Sequence, residues 1–188
     1  MAWRRLLITL ISIAAIVWLL IFGFQRDARF IKTPLIGKQA LPFAVTLFDG
    51  GKLSLSDLRG KAVFLNFWAS WCPPCREEAR DLEAAWQKVK DKNMLFLGVA
   101  LQDTEKDSRA FLEEFKITYP NGRDESGKIA VDYGTWGIPE SFFIDPQSRI
   151  TYKHVGAIRA DVVVSKLEEA LKGIVSTQEG KGEVTPVR

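Results

Sequence analysis

Two cysteines separated by two prolines are the residues in this 188-residue chain best suited to chemistry. They lie in the segment Trp71–Cys75 (Trp-Cys-Pro-Pro-Cys), between an apolar run typical of a strand and an amphipathic run typical of a helix. This order predicts that Cys72 lies at a helix N-terminus, where unpaired N–H groups and the helix dipole stabilise a thiolate. One helical turn brings the two sulfurs within disulfide distance. We expect Cys72 to be the exposed attacking thiol and Cys75 the sheltered resolving thiol.

Two other roles for the cysteine pair are open but weaker. A structural disulfide would close a very short loop and constrain little of the unfolded chain. A structural zinc site needs four ligands, whereas the chain offers two cysteines and one histidine, His154. The sequence therefore predicts a redox pair that requires no metal and no cofactor.

The dipeptide between the cysteines indicates the direction of electron flow. Pro73 and Pro74 have no backbone N–H, so a Cys72 thiolate lacks two donors that other residues would offer. A strong oxidant requires a highly stabilised thiolate in its reduced form. The motif therefore favours a reductant.

Glu78 lies three residues after Cys75, on the same helix face, and its side chain leans toward the helix N-terminus. A carboxylate partly buried near the dithiol would have a raised pKa and could accept the proton of Cys75. The alternative is an ordinary solvated residue, as we expect for its neighbour Glu77. Geometry alone does not choose between the two.

A proline precedes a predicted strand in Gly137–Glu140 (Gly-Ile-Pro-Glu). It could be a simple turn residue. The alternative is a cis Ile138–Pro139 bond beside the dithiol, which would leave the adjacent backbone free to pair with a substrate chain.

The N-terminus carries 19 uncharged residues, Leu6–Phe24, which as a helix just span the hydrocarbon core of a bilayer. A cleavable signal peptide is the alternative, but the segment ends without a small-residue cleavage site. We predict an uncleaved transmembrane anchor over residues 1–24 and a linker over 25–36. Basic residues flank both ends of the anchor, so the positive-inside rule nearly ties.

The remaining chain alternates strand and helix patterns and predicts an α/β domain over 37–173, with a mixed sheet flanked by helices. A flexible tail, 174–188, is predicted because its apolar content is low. The net charge of +3 resides in residues 1–29 and the body is neutral, so no nucleic-acid surface is expected. The predicted strands are 43–47, 52–55, 61–67, 94–101, 141–145 and 149–155, and the predicted helices are 72–90, 104–116, 127–133 and 161–171.

Three segments resemble thioredoxin-fold proteins of the TlpA/ResA/CcmG (DsbE) group. Asn66–Glu78 is similar to their active-site segment, Tyr133–Asp145 to the cis-proline segment of the CcmG branch, and Gly37–Gly60 to their N-terminal hairpin. The resemblance implies a thioredoxin-like fold and a membrane-tethered thiol–disulfide oxidoreductase. The domain is then expected on the extracytoplasmic (periplasmic) side of the plasma membrane.

The resemblance also implies site residues and partners. Cys72 would be the nucleophile, Cys75 the resolving thiol, Glu78 the active-site acid and Pro139 the cis-proline. The expected substrates are protein dithiols or disulfides, in particular the haem-attachment cysteines of apocytochrome c or its maturation factors. The expected electron donor is a membrane thiol reductase. The alternatives are a reductase or oxidase for another extracytoplasmic dithiol, such as a copper-site protein, and a chaperone that binds metal or haem.

Overall fold

The computed structural model describes residues 2–24, 34–176, 179–182 and 184–187. The chain divides into two compact units, Met1–Lys32 and Thr33–Arg188. The predicted linker over 25–36 lies largely outside the described residues.

In the first unit the described residues form the helix α1 (Ala2–Phe24). Its segment Trp3–Leu20 is long and apolar enough to cross a membrane, and none of it is buried against protein. Its two hydroxyl side chains donate hydrogen bonds back to the helix backbone, from Thr9 to the oxygen of Leu6 at 2.8 Å and from Ser12 to that of Ile8 at 2.9 Å. Such bonds satisfy polar groups that water would not reach in lipid.

The described residues of the second unit form ten strands, four α-helices and a short 3-10 helix over Leu55–Leu58. The strands are β1 (Ala44–Leu47), β2 (Lys52–Ser54), β3 (Ala62–Trp68), β4 (Met94–Ala100), β5 (Asn121–Arg123), β6 (Gly137–Ile138), β7 (Glu140–Ile144), β8 (Ile150–Val155), β9 (Gly180–Lys181) and β10 (Thr185–Pro186). The helices are α2 (Pro73–Val89), α3 (Glu105–Glu114), α4 (Lys128–Asp132) and α5 (Ala160–Leu171).

Eight strands form one mixed sheet in the order β2-β1-β5-β4-β3-β7-β8-β9, and β6 and β10 form a separate pair. The central strand β3 is buried throughout and runs parallel to β4 and antiparallel to β7. Side chains alternate along it: Phe64 packs with the cluster that includes residues of α2 and α5, while Leu65 and Phe67 pack on the other face. This is the mixed sheet flanked by helices that the sequence predicted, in the thioredoxin-like arrangement that the resemblance implied.

Helix α2 follows β3 after a short loop and places the cysteines at the carboxyl end of the central strand. Cys72 caps the helix with extended backbone, and prolines occupy the first two helical positions. Proline is favourable there because its missing N–H has no partner within the helix. The apolar stripe of α2 that includes Cys75, Ala79 and Leu82 is buried.

The sequence did not predict strand β5, whose residues Asn-Gly resemble a turn signal. Gly122 instead lies so close to β1 that a Cβ atom there would be 2.4 Å from the backbone oxygen of Thr46. The glycine is needed for this close pairing of two backbones, which a local pattern does not reveal.

Described residues of the C-terminal segment pair with the rest of the domain, although the sequence predicted too little apolar content in 174–188 for packing. Strand β9 runs parallel beside β8, and β10 pairs antiparallel with β6. The expectation of no packing considered only apolar burial, whereas these contacts are made by the backbone: the N–H of Gly182 donates to the oxygen of Val155 at 2.5 Å.

Candidate active site

Cys72 and Cys75 are joined in a disulfide at the start of α2, with their Cα atoms 5.3 Å apart. The N–H of Cys75 donates to Cys72 Sγ at 3.2 Å. Because the two intervening prolines have no N–H, Cys75 supplies the first N–H of the helix that can reach this sulfur. The same contact would stabilise a Cys72 thiolate, although by fewer donors than a helix start without prolines provides.

The expectation that Cys72 is exposed is wrong for this disulfide form. Cys72 is fully buried, and Cys75 is 2% exposed. The carbonyl oxygen of Ile138 lies 3.5 Å from Cys72 Sγ and helps to cover it. The difference between the two sulfurs therefore lies in their positions: Cys72 precedes the helix, and Cys75 belongs to its buried face.

The loop that covers Cys72 contains the cis peptide bond Ile138–Pro139. Strand β7 begins immediately after Pro139 and pairs with β3 in the sheet. Two separate sequence motifs thus meet at one point, because the sheet places the end of β3 beside the start of β7. The cis bond was one of two alternatives that the sequence left open.

Trp71, the residue directly before Cys72, is exposed, with 43% of its surface accessible. Its indole N–H donates to the oxygen of Gln102 at 3.0 Å. The preceding loop is tied to the same region, since the backbone N–H and hydroxyl of Ser70 both donate to Asp103 at 2.8 and 2.9 Å. These bonds fix an apolar surface next to the disulfide.

Glu78 lies in the second turn of α2 and is buried, whereas Glu77 is exposed, as expected. Its carboxylate accepts hydrogen bonds from Asn66 Nδ2 at 3.0 Å and from the N–H of Ile158 at 2.9 Å. Removal from water raises the pKa of Glu78 to about 8, although both hydrogen bonds oppose the shift. The carboxyl group therefore titrates near the pH at which thiols become reactive.

A buried ion pair that the sequence analysis missed lies under the cis-proline loop. Glu140 and Lys153 are almost fully buried, with Lys153 Nζ 2.8 Å from Glu140 Oε2. The other carboxylate oxygen accepts the N–H groups of Trp136 and Gly137, both at 3.2 Å. Glu140 thus holds the backbone that leads into Pro139. The available signal was a lysine inside an otherwise buried strand, β8, where a charge requires a partner.

Among the described residues, no cluster of three or more His, Cys, Asp or Glu side chains could hold a metal ion. The chemistry that the arrangement offers is that of a dithiol and its disulfide, with a titratable carboxyl group in the same helix.

Comparisons with known proteins agree with this geometry. A model of the AhpC/TSA family matches residues 36–153. The thiol-disulfide oxidoreductase ResA of Bacillus cereus is 34% identical over 81% of this chain and 86% of its own length. The thiol:disulfide interchange protein DsbE of Allochromatium vinosum is 33% identical over 88% and 91%. A solved thioredoxin domain of a thiol-disulfide oxidoreductase from Bacteroides vulgatus is 26% identical, with a TM-score of 0.66 over 73% of this chain and 98% of that one.

Proposed function

Because the chain belongs to the AhpC/TSA family and is a thiol–disulfide oxidoreductase of the ResA and DsbE type, we propose that it reduces haem-attachment cysteines of apocytochrome c outside the cytoplasm. The observation that carries the proposal is the Cys72–Cys75 disulfide at a helix N-terminus, beside the cis Ile138–Pro139 bond. In this role the domain acts while tethered to the membrane by α1.

The reaction is a two-step thiol–disulfide exchange. The Cys72 thiolate of the reduced protein attacks one sulfur of the substrate disulfide, forms a mixed disulfide and releases the other substrate sulfur as a thiolate. The Cys75 thiolate then attacks Cys72 Sγ, breaks the mixed disulfide and releases the second substrate thiol. Two electrons pass to the substrate, and the protein is left with the disulfide of this structure. A membrane thiol reductase would restore the dithiol.

We assign Glu78 to the second step, because it is buried three residues after Cys75 in α2 and its pKa is raised to about 8. Cys75 must lose its proton before it attacks, and burial in an apolar stripe disfavours its thiolate. An ionised Glu78 in the same buried helix face can accept that proton, either directly or through one water. Pro139 and Ile138 form the opposite wall, next to Cys72, where the substrate chain arrives.

A reductant is favoured over an oxidant by the dipeptide Pro73–Pro74. The Cys72 sulfur accepts one N–H in this structure, from Cys75. An oxidant of the DsbA class relies on a far more stabilised thiolate, with a potential of about −120 mV. We expect a measured potential more negative than about −200 mV.

The test uses a peptide that contains a Cys-x-x-Cys-His haem-attachment motif in its disulfide form. We expect the reduced full-length protein in detergent to convert it stoichiometrically to the dithiol. A peptide that carries the dithiol of a copper site serves as the comparison. Preference for the copper-site peptide would contradict the proposed substrate. A potential near that of DsbA would contradict the proposed direction of electron flow. Metal retained after purification under reducing conditions would favour a metal-binding protein.

The proposed topology places the N-terminus in the cytoplasm and the domain outside. A dithiol enzyme needs one defined redox compartment, and an uncleaved N-terminal anchor provides it. We expect alkaline phosphatase fused after Arg188 to be active and a cytoplasm-dependent fluorescent protein fused there to be dark. The opposite pair of results would place the domain in the cytoplasm.

A further inference from the structure

The short strand β6 lies directly before the cis-proline, and its partner is the C-terminus of the same chain. Thr185 lies opposite Ile138, and Pro186 lies opposite Gly137. The N–H of Val187 donates to the oxygen of Trp136 at 3.3 Å. The described C-terminal residues 184–187 therefore lie along the backbone that forms one wall of the active site.

The edge that the C-terminal residues cover is also the edge that faces the disulfide. Successive residues of a strand direct their N–H and C=O groups to opposite sides. The oxygen of Trp136 faces the C-terminal segment, because it accepts the N–H of Val187, so the polar groups of Ile138, two residues later, face it as well. The oxygen of Ile138 lies 3.5 Å from Cys72 Sγ. A chain paired with Ile138 thus lies next to the reactive sulfur.

We propose that residues 184–187 are a built-in competitor that occupies the strand edge on which an extended substrate segment docks. The proposal rests on the proposed function, since it concerns access of protein substrates to the same dithiol. Strand addition uses main-chain hydrogen bonds, so the edge accepts many sequences, including the chain's own C-terminus. An incoming cysteine-containing segment must displace these residues before Cys72 can react with it.

The contacts suit a segment that is anchored at one end and displaceable at the other. At Gly182 an added Cβ atom would lie 2.7 Å from the oxygen of Ala157, and at Gly180 one would lie 2.1 Å from the hydroxyl of Tyr152. Glycines at these positions allow the backbone to lie flat against the domain. Beyond them, β10 has only two residues. So short a pairing is easily exchanged for another strand.

The direct test is the full-length variant Gly182→Val, whose side chain does not fit against Ala157. Two probes are compared. One is a ten-residue extended peptide whose central cysteine carries a mixed disulfide, and the other is hydroxyethyl disulfide, which has no peptide backbone. We expect the rate constant of the reduced variant with the peptide to rise about three- to tenfold, because the competent fraction rises when the competitor leaves. The rate with hydroxyethyl disulfide should stay within about twofold.

A chain that ends at Gly182 removes β10 and keeps β9, and it should show the same increase. Thr185→Val, which preserves the backbone and the side-chain shape, is the matched control and should behave as the original protein. The free peptide Val-Thr-Pro-Val-Arg, added to the shortened chain, should slow its reaction with the peptide probe.

The outcomes separate this proposal from the proposed function. If Gly182→Val and the chain that ends at Gly182 both react with the peptide probe at the original rate, and hydroxyethyl disulfide reacts normally, the proposed competition is refuted. The proposed oxidoreductase function is then unaffected. Equal acceleration with both probes would also refute the proposed competition, because the segment would then shield the sulfurs without blocking a strand site. Failure of the original protein to react with either probe would refute the proposed function itself.

Discussion

Cys72→Ser protein is expected to lose thiol–disulfide exchange by roughly a thousandfold or more, because the attacking sulfur is gone and no other cysteine can replace it. Cys75→Ser should retain the first attack and stop at the mixed disulfide, since the resolving thiol is absent. The measurement is turnover with a peptide disulfide, together with non-reducing electrophoresis of the products. The serine variants should accumulate different species: free protein for Cys72→Ser and a covalent adduct for Cys75→Ser.

The assignment of the two sulfurs is checked by alkylation of the reduced protein at neutral pH. Cys72 should react faster, because it precedes the helix and accepts the N–H of Cys75, which stabilises its thiolate. Cys75 belongs to the buried face of α2. Equal alkylation rates, or a covalent adduct that forms through Cys75 in the Cys72→Ser variant, would contradict the roles of attacking and resolving thiol. The adduct that Cys75→Ser traps in membranes would also identify the physiological partner.

The local part of the site could be predicted from the sequence because short-range rules determine it. The strand-to-helix junction at Cys72 and the position of Cys75 on the buried stripe follow from the hydrophobic periodicity of this segment, whereas the burial of Glu78 was one of two alternatives that helical geometry left open. The burial of Glu78 also requires donors that lie far along the chain, Asn66 and Ile158, and these could not be predicted.

The remaining features depend on which distant segments meet. Cys72 is buried because Ile138, 66 residues later, covers it, and a local pattern carries no information about that contact. The pairing of Glu140 with Lys153 joins adjacent strands β7 and β8, whose register places Glu140 opposite Val155 and so determines which side chains meet. The C-terminal strands depend on glycines that permit backbone contact, which hydrophobic periodicity does not detect.

Glu78→Gln is expected to raise the free energy of unfolding of the protein and to slow the resolution of the mixed disulfide. The amide oxygen of glutamine can accept the N–H of Ile158, and Asn66, rotated about its own amide, can accept the glutamine N–H while Ser141 donates to it. The variant therefore keeps a hydrogen bond at each of these contacts and should fold. It should also lack the unfavourable ionisation of a buried carboxyl group.

The direction of the stability change follows from the raised pKa of Glu78. Between the ordinary pKa near 4.5 and the folded value of about 8, the folded protein binds more protons than the unfolded chain. Its stability therefore falls as pH rises through this window, and Glu78→Gln removes that part of the fall. We expect the free energy of unfolding of the oxidised variant to exceed that of the original protein at pH 7, by as much as about 3 kcal/mol. The measurement is denaturant unfolding from pH 4.5 to 9, with the exposed Glu77→Gln as the matched control.

The kinetic effect of Glu78→Gln falls on the resolving step. If ionised Glu78 accepts the proton of Cys75, resolution of the mixed disulfide slows as pH falls below about 8, and the variant lacks this dependence. We expect resolution to be about a hundredfold slower at pH 8 in Glu78→Gln, with the first attack by Cys72 changed far less. Because the carboxyl group and the thiol titrate together, the shifted profile belongs to the pair. Stopped-flow measurement of each step against pH decides the matter: if the profile of Glu78→Gln overlays those of the original protein and Glu77→Gln, then Glu78 acts only through the fold, and the proton of Cys75 leaves by another route.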